Sequence, residues 1–438
     1  MFFPDYKCSN FKSAINFTVF FALPILFITA CSSIDKSISD ADDNHDKKNG
    51  QTDLSTPQNT GVEFWNDTTE FARKKDTTTG IVYIFADNKW QATDLKTEIP
   101  ENAVDYSLGR AMNTRLGKGI NLGESWDSDG DDDSGWGNPI RDNDFVVIKK
   151  AGFNSVRIPV RWQKNSNYST HTVDPTRLQG VMEDIQLAIQ NDLAVIVSFQ
   201  NYTEINSAGG ASNRPYNADD FAKEKTHFLG LWAQIASQLN IYPDNMLVFE
   251  ILSEPLIPDA TLVDELMNDA YKVIRENAPG KTIMFESYHA AKFSELPTLH
   301  LPQDGNIIYS GHYYEPYEYT HQGIGYDCTG GDTYRNTSTN DFKEYVKIAA
   351  IYYPDINGKM IPINLGEFGV NGGDESPCKD SRHPSNDGKA SWAKKTAKSA
   401  IENDMSFHYW GFGRTRGFDA YNVSEETWYP GFPAALVF

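Results

Sequence analysis

Two glutamates are the residues of this sequence whose surroundings point most directly to chemistry. Glu254 closes the segment 248–255 (VFEILSEP), where an apolar strand-like run reaches a proline that prevents further strand pairing. Glu367 lies in the segment 362–370 (PINLGEFGV), between two glycines that allow other groups to approach it closely. One carboxyl group that donates a proton and a second that attacks carbon or activates water form the arrangement that cleaves a glycosidic bond. A single glutamate of this kind is usually a solvated surface acid, whereas two in such segments favour catalysis.

Short apolar segments alternate with amphipathic helical segments from residue 119 onward, and this alternation predicts an α/β fold. The predicted helices include residues 175–192, 219–240, 261–277 and 341–353. The predicted strands cover residues 119–124, 155–160, 194–199, 246–252, 282–287, 306–313, 361–366 and 405–411. Eight such units are typical of a (β/α)8 TIM barrel.

A doubly wound sheet would also alternate, but it would not explain the side chains at the strand ends. The carboxyl ends of barrel strands form the active face, and functional side chains recur there, namely Glu124, Glu254, His312, Glu367 and Trp410. About three β/α units separate the two glutamates, which places them on strands four and seven, across the mouth of the barrel. Because residues 250, 252 and 254 share one strand face, we expect Glu254 at the mouth and Glu250 deeper.

At this point the sequence resembles glycoside hydrolase family 5, the cellulase-like members of clan A, over about residues 110–438. The resemblance is carried by several motifs in the right order: 112–123 (MNTRLGKGINLG), 151–162 (AGFNSVRIPVRW), 249–255 (FEILSEP), 312–316 (HYYEP), 366–369 (GEFG) and 409–411 (YWG). It implies a retaining hydrolase of β-linked plant polysaccharide, with endo-β-1,4-glucanase activity first and mannanase or xyloglucanase activity as alternatives.

The resemblance also implies roles for individual residues. Glu254 would be the acid/base and Glu367 the nucleophile, with carboxyl groups about 5–5.5 Å apart. Arg157, at the end of strand two, would contact the substrate-binding site beside Glu367 and hold that acid ionised, because a nearby cation lowers a carboxyl pKa. A structural salt bridge is the alternative role for Arg157.

Three further residues take roles from the same resemblance. Tyr314 would donate a hydrogen bond to the nucleophile, and His312 would line the substrate-binding site. Trp410 would form the floor on which the sugar stacks in the cleaved subsite, with ordinary core packing as the alternative. No glycine-rich phosphate loop follows a strand, and no histidine pair has metal-ligand spacing, so we expect neither a cofactor nor a metal.

Three changes, at four residues, depart from the family pattern. Ser253 replaces the usual asparagine before the acid/base, Gln200 and Asn201 replace a usual histidine pair, and Glu124 replaces the asparagine that closes strand one. The usual residues contact hydroxyls of the same sugar, so a reshaped substrate subsite is one explanation. A weakened enzyme that only binds glycan at the cell surface is the other. The retained carboxyl pair favours catalysis.

The N-terminal segment has the pattern of an export signal. Lys7 and Lys12 precede the apolar run 14–30, and Cys31 follows small residues, as in a bacterial lipobox. We expect a signal peptide at residues 1–30, lipidation of Cys31, a disordered tether over 31–60, a small β hairpin extension over 61–105 and the hydrolase domain over 106–438. An uncleaved membrane anchor is the alternative, but the run is short for a membrane span.

Charge and cysteines limit the remaining possibilities. The formal net charge of −21 excludes a basic surface for nucleic acid or anionic lipid, so contact with a membrane is expected only through the lipid. In an exported protein Cys328 and Cys378 are expected to form a disulfide, with two free thiols as the alternative. The acidic segment 127–133 is either a solvated loop or, less consistently with its glycine position, a Ca²⁺ loop. Six aromatic residues near strand ends are either sugar platforms or loop packing: Trp126, Trp136, Trp162, Tyr202, Tyr317 and Phe412.

Overall fold

The computed structural model describes the chain from residue 73 to its last residue, with short gaps. The described residues are 73–76, 79–86, 89–92, 102–322, 331, 340–373, 378 and 383–438. The predicted signal peptide, lipidation site Cys31 and tether lie outside these residues. Cys328 lies outside them as well, and so do several residues of the predicted hairpin extension.

Eight parallel strands form one closed barrel, which confirms the predicted TIM-barrel fold. Each strand pairs with the next along the chain, and the last pairs with the first. Three short strands precede the barrel and two follow it. In chain order the strands are β1 (Arg73–Lys75), β2 (Val82–Ala86), β3 (Lys89–Ala92), then the barrel strands β4 (Lys118–Asn121), β5 (Ser155–Val160), β6 (Ala194–Phe199), β7 (Leu247–Glu250), β8 (Thr282–Phe285), β9 (Ile307–His312), β10 (Ile363–Phe368) and β11 (Ser406–Tyr409), and finally β12 (Tyr421–Asn422) and β13 (Thr427–Trp428).

Helices surround the barrel and fill the loops at its mouth. They are α1 (Ser107–Leu116), α2 (Asp142–Ala151), α3 (Pro175–Gln190), α4 (Thr203–Ala208), α5 (Ala218–Leu239), α6 (Ala260–Asn277), α7 (Tyr288–Ala291), α8 (Tyr317–Thr320), α9 (Asn340–Tyr352) and α10 (Asn386–Glu402), with 3-10 turns at Ala211–Asn213 and Phe293–Thr298. No helix in the described ranges combines the length and the apolar character that crossing a membrane requires.

The local sequence explains why these elements form. The strands β5 (SVRIPV) and β6 (AVIVSF) are buried at every residue, as expected for parallel strands covered on both faces. The helix α6 begins at Asp259, whose side chain accepts hydrogen bonds from two backbone N–H groups of its first turn. Its buried residues Val263, Met267, Ala270 and Ile274 recur at helical spacing and face the barrel. The cap at the start of this helix and the spacing of its buried residues therefore favour the same helix.

Five predicted strands end earlier than the sequence indicates, and for two of them this moves a candidate glutamate off the strand. β4 ends at Asn121 and β7 at Glu250, so Glu124 and Glu254 lie in the loops beyond them. Both residues have left-handed backbone, with φ of 61° and 48°. The strand-face argument for Glu254 is therefore wrong, although Glu254 does lie at the mouth and Glu250 does lie deeper. Arg157 is the third of six residues in β5 and not at its end.

The N-terminal extension is a three-stranded antiparallel sheet and not a simple hairpin. β2 pairs with β3 as predicted, and β1 adds a third strand on the other side of β2. The Arg73 guanidinium donates to the Ala350 carbonyl at the end of α9 at 2.6 Å, which fixes this sheet against the barrel. Trp90 is buried against Phe85, with ring centroids 5.5 Å apart, so it serves hairpin packing.

Most of the aromatic residues near strand ends belong to the core. Trp162 and Tyr202 are fully buried, and Trp126 and Phe412 are nearly so, which makes these four packing residues. Trp136 and Tyr317 instead line the cleft at the barrel mouth.

The acidic loop 127–133 is held by protein groups. Arg161 forms an ion pair with Asp129, and the Asn165 amide donates to Asp131 at 2.8 Å. These contacts connect the loop after β4 to the loop after β5. Because protein groups bind these carboxylates, the contacts favour a solvated loop over a Ca²⁺ loop.

Cys378 is buried and disulfide-bonded. Its predicted partner, Cys328, lies outside the described residues, so the pairing between the two stays a prediction.

Candidate active site

A cleft of about 690 Å³ crosses the carboxyl-end face of the barrel. It runs from Trp136, in the loop after β4, to Lys292 and Ser294, in the loop after β8. These two strands lie four positions apart in the eight-stranded barrel, so the cleft spans the whole mouth. The predicted site residues that line it are Gln200, Asn201, Glu254, His312, Tyr314, Glu367 and Trp410.

Glu254 and Glu367, called the carboxyl pair below, meet in the middle of this cleft. An oxygen of Glu254, an oxygen of Glu367 and a ring nitrogen of His312 all lie within 4.8 Å of one another. The Glu254 side chain is 37% exposed and that of Glu367 only 6%. Retaining glycosidases hold their carboxyl groups about 5–5.5 Å apart and inverting ones about 6.5–9.5 Å. The pair therefore has the closer spacing.

Arg157 lies directly beneath the pair in the barrel interior. Its Nη1 donates to Glu367 Oε1 at 2.7 Å, and its Nε and Nη2 donate to the two oxygens of Glu250 at 2.6 and 2.9 Å. Burial opposes its charge, but Glu250 and Glu367 outweigh burial and raise the pKa of Arg157 well above its ordinary value. Because Arg157 is fully buried and does not line the cleft, the expectation that it contacts substrate is wrong. It positions the nucleophile candidate instead.

His312 is the second cation of the site. Its Nδ1 lies 2.8 Å from Glu254 Oε1 and 3.6 Å from Glu367 Oε2, and its Nε2 lies 3.0 Å from Glu286 Oε1. Burial alone would lower the pKa of His312, but Glu286 and Glu367 raise it well above its ordinary value. His312 therefore carries a proton against Glu254. His312 belongs to two clusters of His and Glu side chains that are close enough to bind a metal ion. A protonated imidazole between the carboxylates would repel such a cation.

Glu286 is a buried acid whose role was not predicted. It accepts the backbone N–H of Glu254 at 2.8 Å and the Ser310 hydroxyl at 3.1 Å, and so holds the left-handed turn that carries Glu254. Burial raises the pKa of the neighbouring Glu250 to about 7, and Glu286 adds to that rise while Arg157 opposes it. The signal for Glu286 was present, since it lies near the end of the fifth predicted strand, residues 282–287, and Glu254 follows the fourth.

The two members of the carboxyl pair have opposite pKa shifts. Burial works against ionisation of Glu254, but the hydrogen bond and charge of His312 outweigh it, and the pKa of Glu254 lies below its ordinary value. Burial raises the pKa of Glu367 above its ordinary value, although the charges of His312 and Arg157 oppose this shift. The expectation that Arg157 leaves Glu367 with a lowered pKa is thus wrong, because burial and the nearby acids outweigh one guanidinium.

Tyr314 and Trp410 complete the surroundings of Glu367. The Tyr314 hydroxyl donates to Glu367 Oε2 at 3.2 Å. The Trp410 indole lies against Gly123, where a Cβ atom would fall 2.3 Å from the ring, so only glycine lets the ring lie flat beside β4. Trp410 is partly exposed to the cleft and offers one face to a ligand.

The end of the cleft beyond Trp410 carries charge. The Arg416 guanidinium lies 4.7 Å from the Trp136 ring centroid and its Nε lies 3.0 Å from Glu124 Oε2. Burial, reinforced by Asp127, raises the pKa of Glu124 to about 7. Arg416 had no motif that marked it in the sequence, because its place depends on the fold of the loop after β11.

The other departures from the family pattern also lie at the pair. Ser253 Oγ and Gln200 Oε1 accept from Arg157 Nη2 at 2.8 and 3.3 Å. The Asn201 amide donates to the Asp127 carbonyl at 3.1 Å and so ties the loops after β6 and β4 together. Glu124, Gln200 and Asn201 thus line the same cleft as the carboxyl pair, and Ser253 contacts Arg157 beneath it.

Comparison with known sequences agrees with this geometry. The family model described as Cellulase (glycosyl hydrolase family 5) matches residues 114–415, more than two thirds of the chain. The chain belongs to this family. Membership makes the barrel a glycoside hydrolase domain of family 5, and a retaining mechanism follows from the family.

Two relatives of this chain are bacterial endoglucanases. Endoglucanase H of Acetivibrio thermocellus is 25% identical over 262 residues, which cover 59% of this chain and 26% of that protein. Endoglucanase B of Ruminococcus albus is 25% identical over 348 residues, which cover 74% of this chain and 78% of that protein. The chain thus spans about a quarter of the first relative and about three quarters of the second.

Solved structures of family 5 proteins superpose on the barrel. Thermotoga maritima Cel5A in complex with cellobiose gives a TM-score of 0.62 at 29% identity, over 75% of this chain and 100% of that one. The same protein in complex with mannotriose gives a TM-score of 0.62 at 29% identity with the same coverage.

The buried position of Arg157 leads to a stability prediction. Arg157→Met should lower the free energy of unfolding by about 3–5 kcal/mol, because it leaves buried acids without their cation. Arg157→Lys, which cannot make the paired bond to Glu250, should fall between Met and wild type. Urea unfolding measures both. The control is Arg115→Met, whose partner Asp192 is 69% exposed, with an expected loss of about 0–1 kcal/mol. Equal losses at the two arginines would contradict this account.

Proposed function

We propose that this protein is a retaining endo-β-glycanase in which Glu254 is the acid/base and Glu367 the nucleophile. The close spacing of the carboxyl pair over Arg157 is the observation that carries the proposal. Glu367 lies deep and is held by Arg157 and Tyr314, as a nucleophile must be to meet one carbon atom. Glu254 lies at the exposed side, where a leaving group and water have access.

The first half of the reaction forms a covalent intermediate. Glu367 attacks the anomeric carbon, and the bond from that carbon to the glycosidic oxygen breaks. Glu254 must give its proton to the leaving oxygen at this moment. Moving the shared proton from His312 Nδ1 to Glu254 Oε1, along their 2.8 Å contact, makes Glu254 the required acid.

The second half returns the enzyme to its starting state. Glu254, now a carboxylate, removes a proton from a water molecule whose oxygen attacks the anomeric carbon, and the proton then returns along the same contact to His312 Nδ1. The ester bond to Glu367 breaks and the carboxylate returns to Arg157 and Tyr314. Two displacements at one carbon retain its configuration. Trp410 supports the sugar by stacking, since a flat indole face suits the apolar face of a pyranose ring.

The form of the cleft supports an internal cleavage site in a long chain. Because the cleft spans the mouth from the loop after β4 to the loop after β8, a polymer can extend on both sides of the pair. The endoglucanase relatives and the cellobiose complex of Cel5A support β-1,4-glucan as the substrate. The mannotriose complex of Cel5A makes β-mannan the second candidate, ahead of xyloglucan.

We also propose export and lipid attachment at Cys31. The charged start, the apolar run and the small residues before Cys31 support this proposal. Cys31→Ser should move the protein from the membrane fraction to the soluble fraction of cells that process lipoproteins. Membrane association that persists in this variant would favour an uncleaved apolar anchor instead.

Removing either carboxyl group tests the roles of the pair. Glu254→Ala should reduce kcat on cellulose derivatives or mannan by about 10²–10⁴-fold, the range for loss of a general acid. Glu367→Ala should abolish turnover, and added azide should restore a product of inverted configuration by attacking in place of the lost carboxylate. Reducing-sugar release and product configuration by NMR measure these effects.

Two outcomes of that experiment are decisive. Activity that survives Glu367→Ala would overturn the nucleophile assignment. Wild-type protein that binds polysaccharide in affinity gels without cleaving any tested substrate would show a glycan-binding protein instead. Glu286→Gln serves as a control for disturbance of the buried network, because Glu286 does not line the cleft.

The pH dependence follows from the protonation of the site. Turnover needs Glu367 ionised. Because its pKa is raised, the loss of activity on the acidic side should begin at a pH above the ordinary glutamate value of ~4.3. Turnover also needs the proton shared by His312 and Glu254, and because the pKa of His312 is raised, activity should persist above neutral pH before it falls.

Removing the His312 cation should narrow the pH range over which the enzyme is active. In His312→Gln the acidic limb of kcat/KM should move to higher pH, because His312 no longer opposes the rise in the pKa of Glu367. The alkaline limb should move to lower pH, because Glu254 alone then holds the proton. Unchanged limbs in the variant would show that His312 does not share the catalytic proton.

A further inference from the structure

A small side cavity of about 110 Å³ opens beside the acid/base candidate. It lies between the loops after β6 and β7, and its walls include Gln200, Ser253 and Glu254 together with Asn206 and Ala211. Two of these residues, Gln200 and Ser253, are departures from the family pattern. The cavity is therefore a feature of this chain at the place where sugar hydroxyls meet the protein.

The polar groups of the cavity are oriented by their neighbours. Ser253 Oγ and Gln200 Oε1 both accept from the Arg157 guanidinium, so the Ser253 proton and the Gln200 amide N–H groups must face elsewhere. Asn206 Oδ1 accepts from the Leu256 backbone N–H at 3.0 Å, which turns its amide N–H groups away as well. A guanidinium and a backbone N–H both donate, so the side-chain oxygens, and not the amide nitrogens, face these groups.

Three donors consequently remain for a ligand. Within the described residues, no group accepts a hydrogen bond from the side chains of Gln200, Ser253 or Asn206. Gln200 and Asn206 are 93% buried and Ser253 is 97% buried, since their exposed fractions are 7%, 7% and 3%. The cavity therefore presents donors to an oxygen that accepts.

Charge decides which kind of oxygen this is. Glu254 itself forms part of the wall, and the acid Glu367 lies nearby, so a carboxylate substituent would be repelled. A hydroxyl group can accept from the same donors and give its proton to Glu254, but it would fill only a small part of the space. A neutral carbonyl oxygen also accepts through two lone pairs, is not repelled by Glu254, and brings a larger group with it.

Size sets the remaining limit. A water molecule takes about 30 Å³ in the liquid, so the cavity has room for roughly three or four waters. That space holds an acetyl group and not a complete branching sugar. We propose that the side cavity binds an O-acetyl group carried by the backbone sugar at the cleavage point, so that the enzyme cleaves next to acetylated sugars. This inference rests on the proposed glycanase function.

The test compares one polysaccharide with and without its acetyl groups. Naturally O-acetylated glucomannan and the same preparation after mild alkaline deacetylation are cleaved, and kcat/KM is measured for each. Wild-type enzyme should cleave the acetylated polymer at least as well as the deacetylated one, and mass spectrometry should find acetylated sugars at the new chain ends.

A variant that fills the cavity should remove this tolerance. Ala211→Leu should lower the ratio of acetylated to deacetylated kcat/KM by about tenfold or more, the lower end for one misfit group in a pocket. Ser207→Leu, on another wall, serves if the first variant does not fold. The control is Ser294→Leu, which lines the main cleft and not the side cavity, and should leave the ratio unchanged.

The outcomes separate the two proposals. Wild-type enzyme that cleaves only the deacetylated polymer, or filled variants with an unchanged ratio, would overturn the acetyl site and leave the glycanase function intact. No cleavage of either polymer, or of any other β-glycan, would overturn the glycanase function itself.

Discussion

The site depends on one buried guanidinium. Moving a charged group from water into a protein interior costs several kcal/mol unless partners replace the lost water. Arg157 is fully buried, and its donors meet Glu250 on one side and Glu367 on the other. The Asn121 side chain accepts from it as well, at 2.9 Å. This set of bonds fixes the nucleophile candidate in the barrel axis without giving substrate access to the cation.

His312 extends this arrangement toward the cleft. Two cations, Arg157 and His312, neutralise an array that also contains the acids Glu250, Glu286, Glu254 and Glu367. Because the acids outnumber the cations, protons must be shared among them, and burial then decides which acid holds one. The deep member of the carboxyl pair is the harder to ionise, and the exposed member rests against the imidazolium. Binding of a sugar must reverse this order, and the short contact between His312 and Glu254 provides the route.

Two of the departures from the family pattern are explained by their contacts with the same cation, Arg157. Ser253 and Gln200 both place their oxygens on Arg157, so they keep its buried charge satisfied although they are smaller or less basic than the usual residues. The space that they leave does not disturb the carboxyl pair. It appears instead as the side cavity, which Gln200 and Ser253 both line. A change in substrate recognition can thus leave the catalytic geometry in place.

The sequence by itself determined the barrel and the identity of its carboxyl pair. Both conclusions rest on local patterns, namely eight apolar runs in the order of parallel strands, one acid after the fourth strand and one near the end of the seventh. Local patterns of this kind can be recognised from the sequence alone. The tertiary structure decided how deeply the site residues lie, how they are oriented and which of them are protonated. It set the left-handed turns of Glu124 and Glu254, the role of Glu286, the burial of Arg157 and the reversed pKa order of the carboxyl pair. Each of these depends on distances between groups on different strands, because burial and neighbouring charge set a pKa, and no spacing along one chain gives those distances.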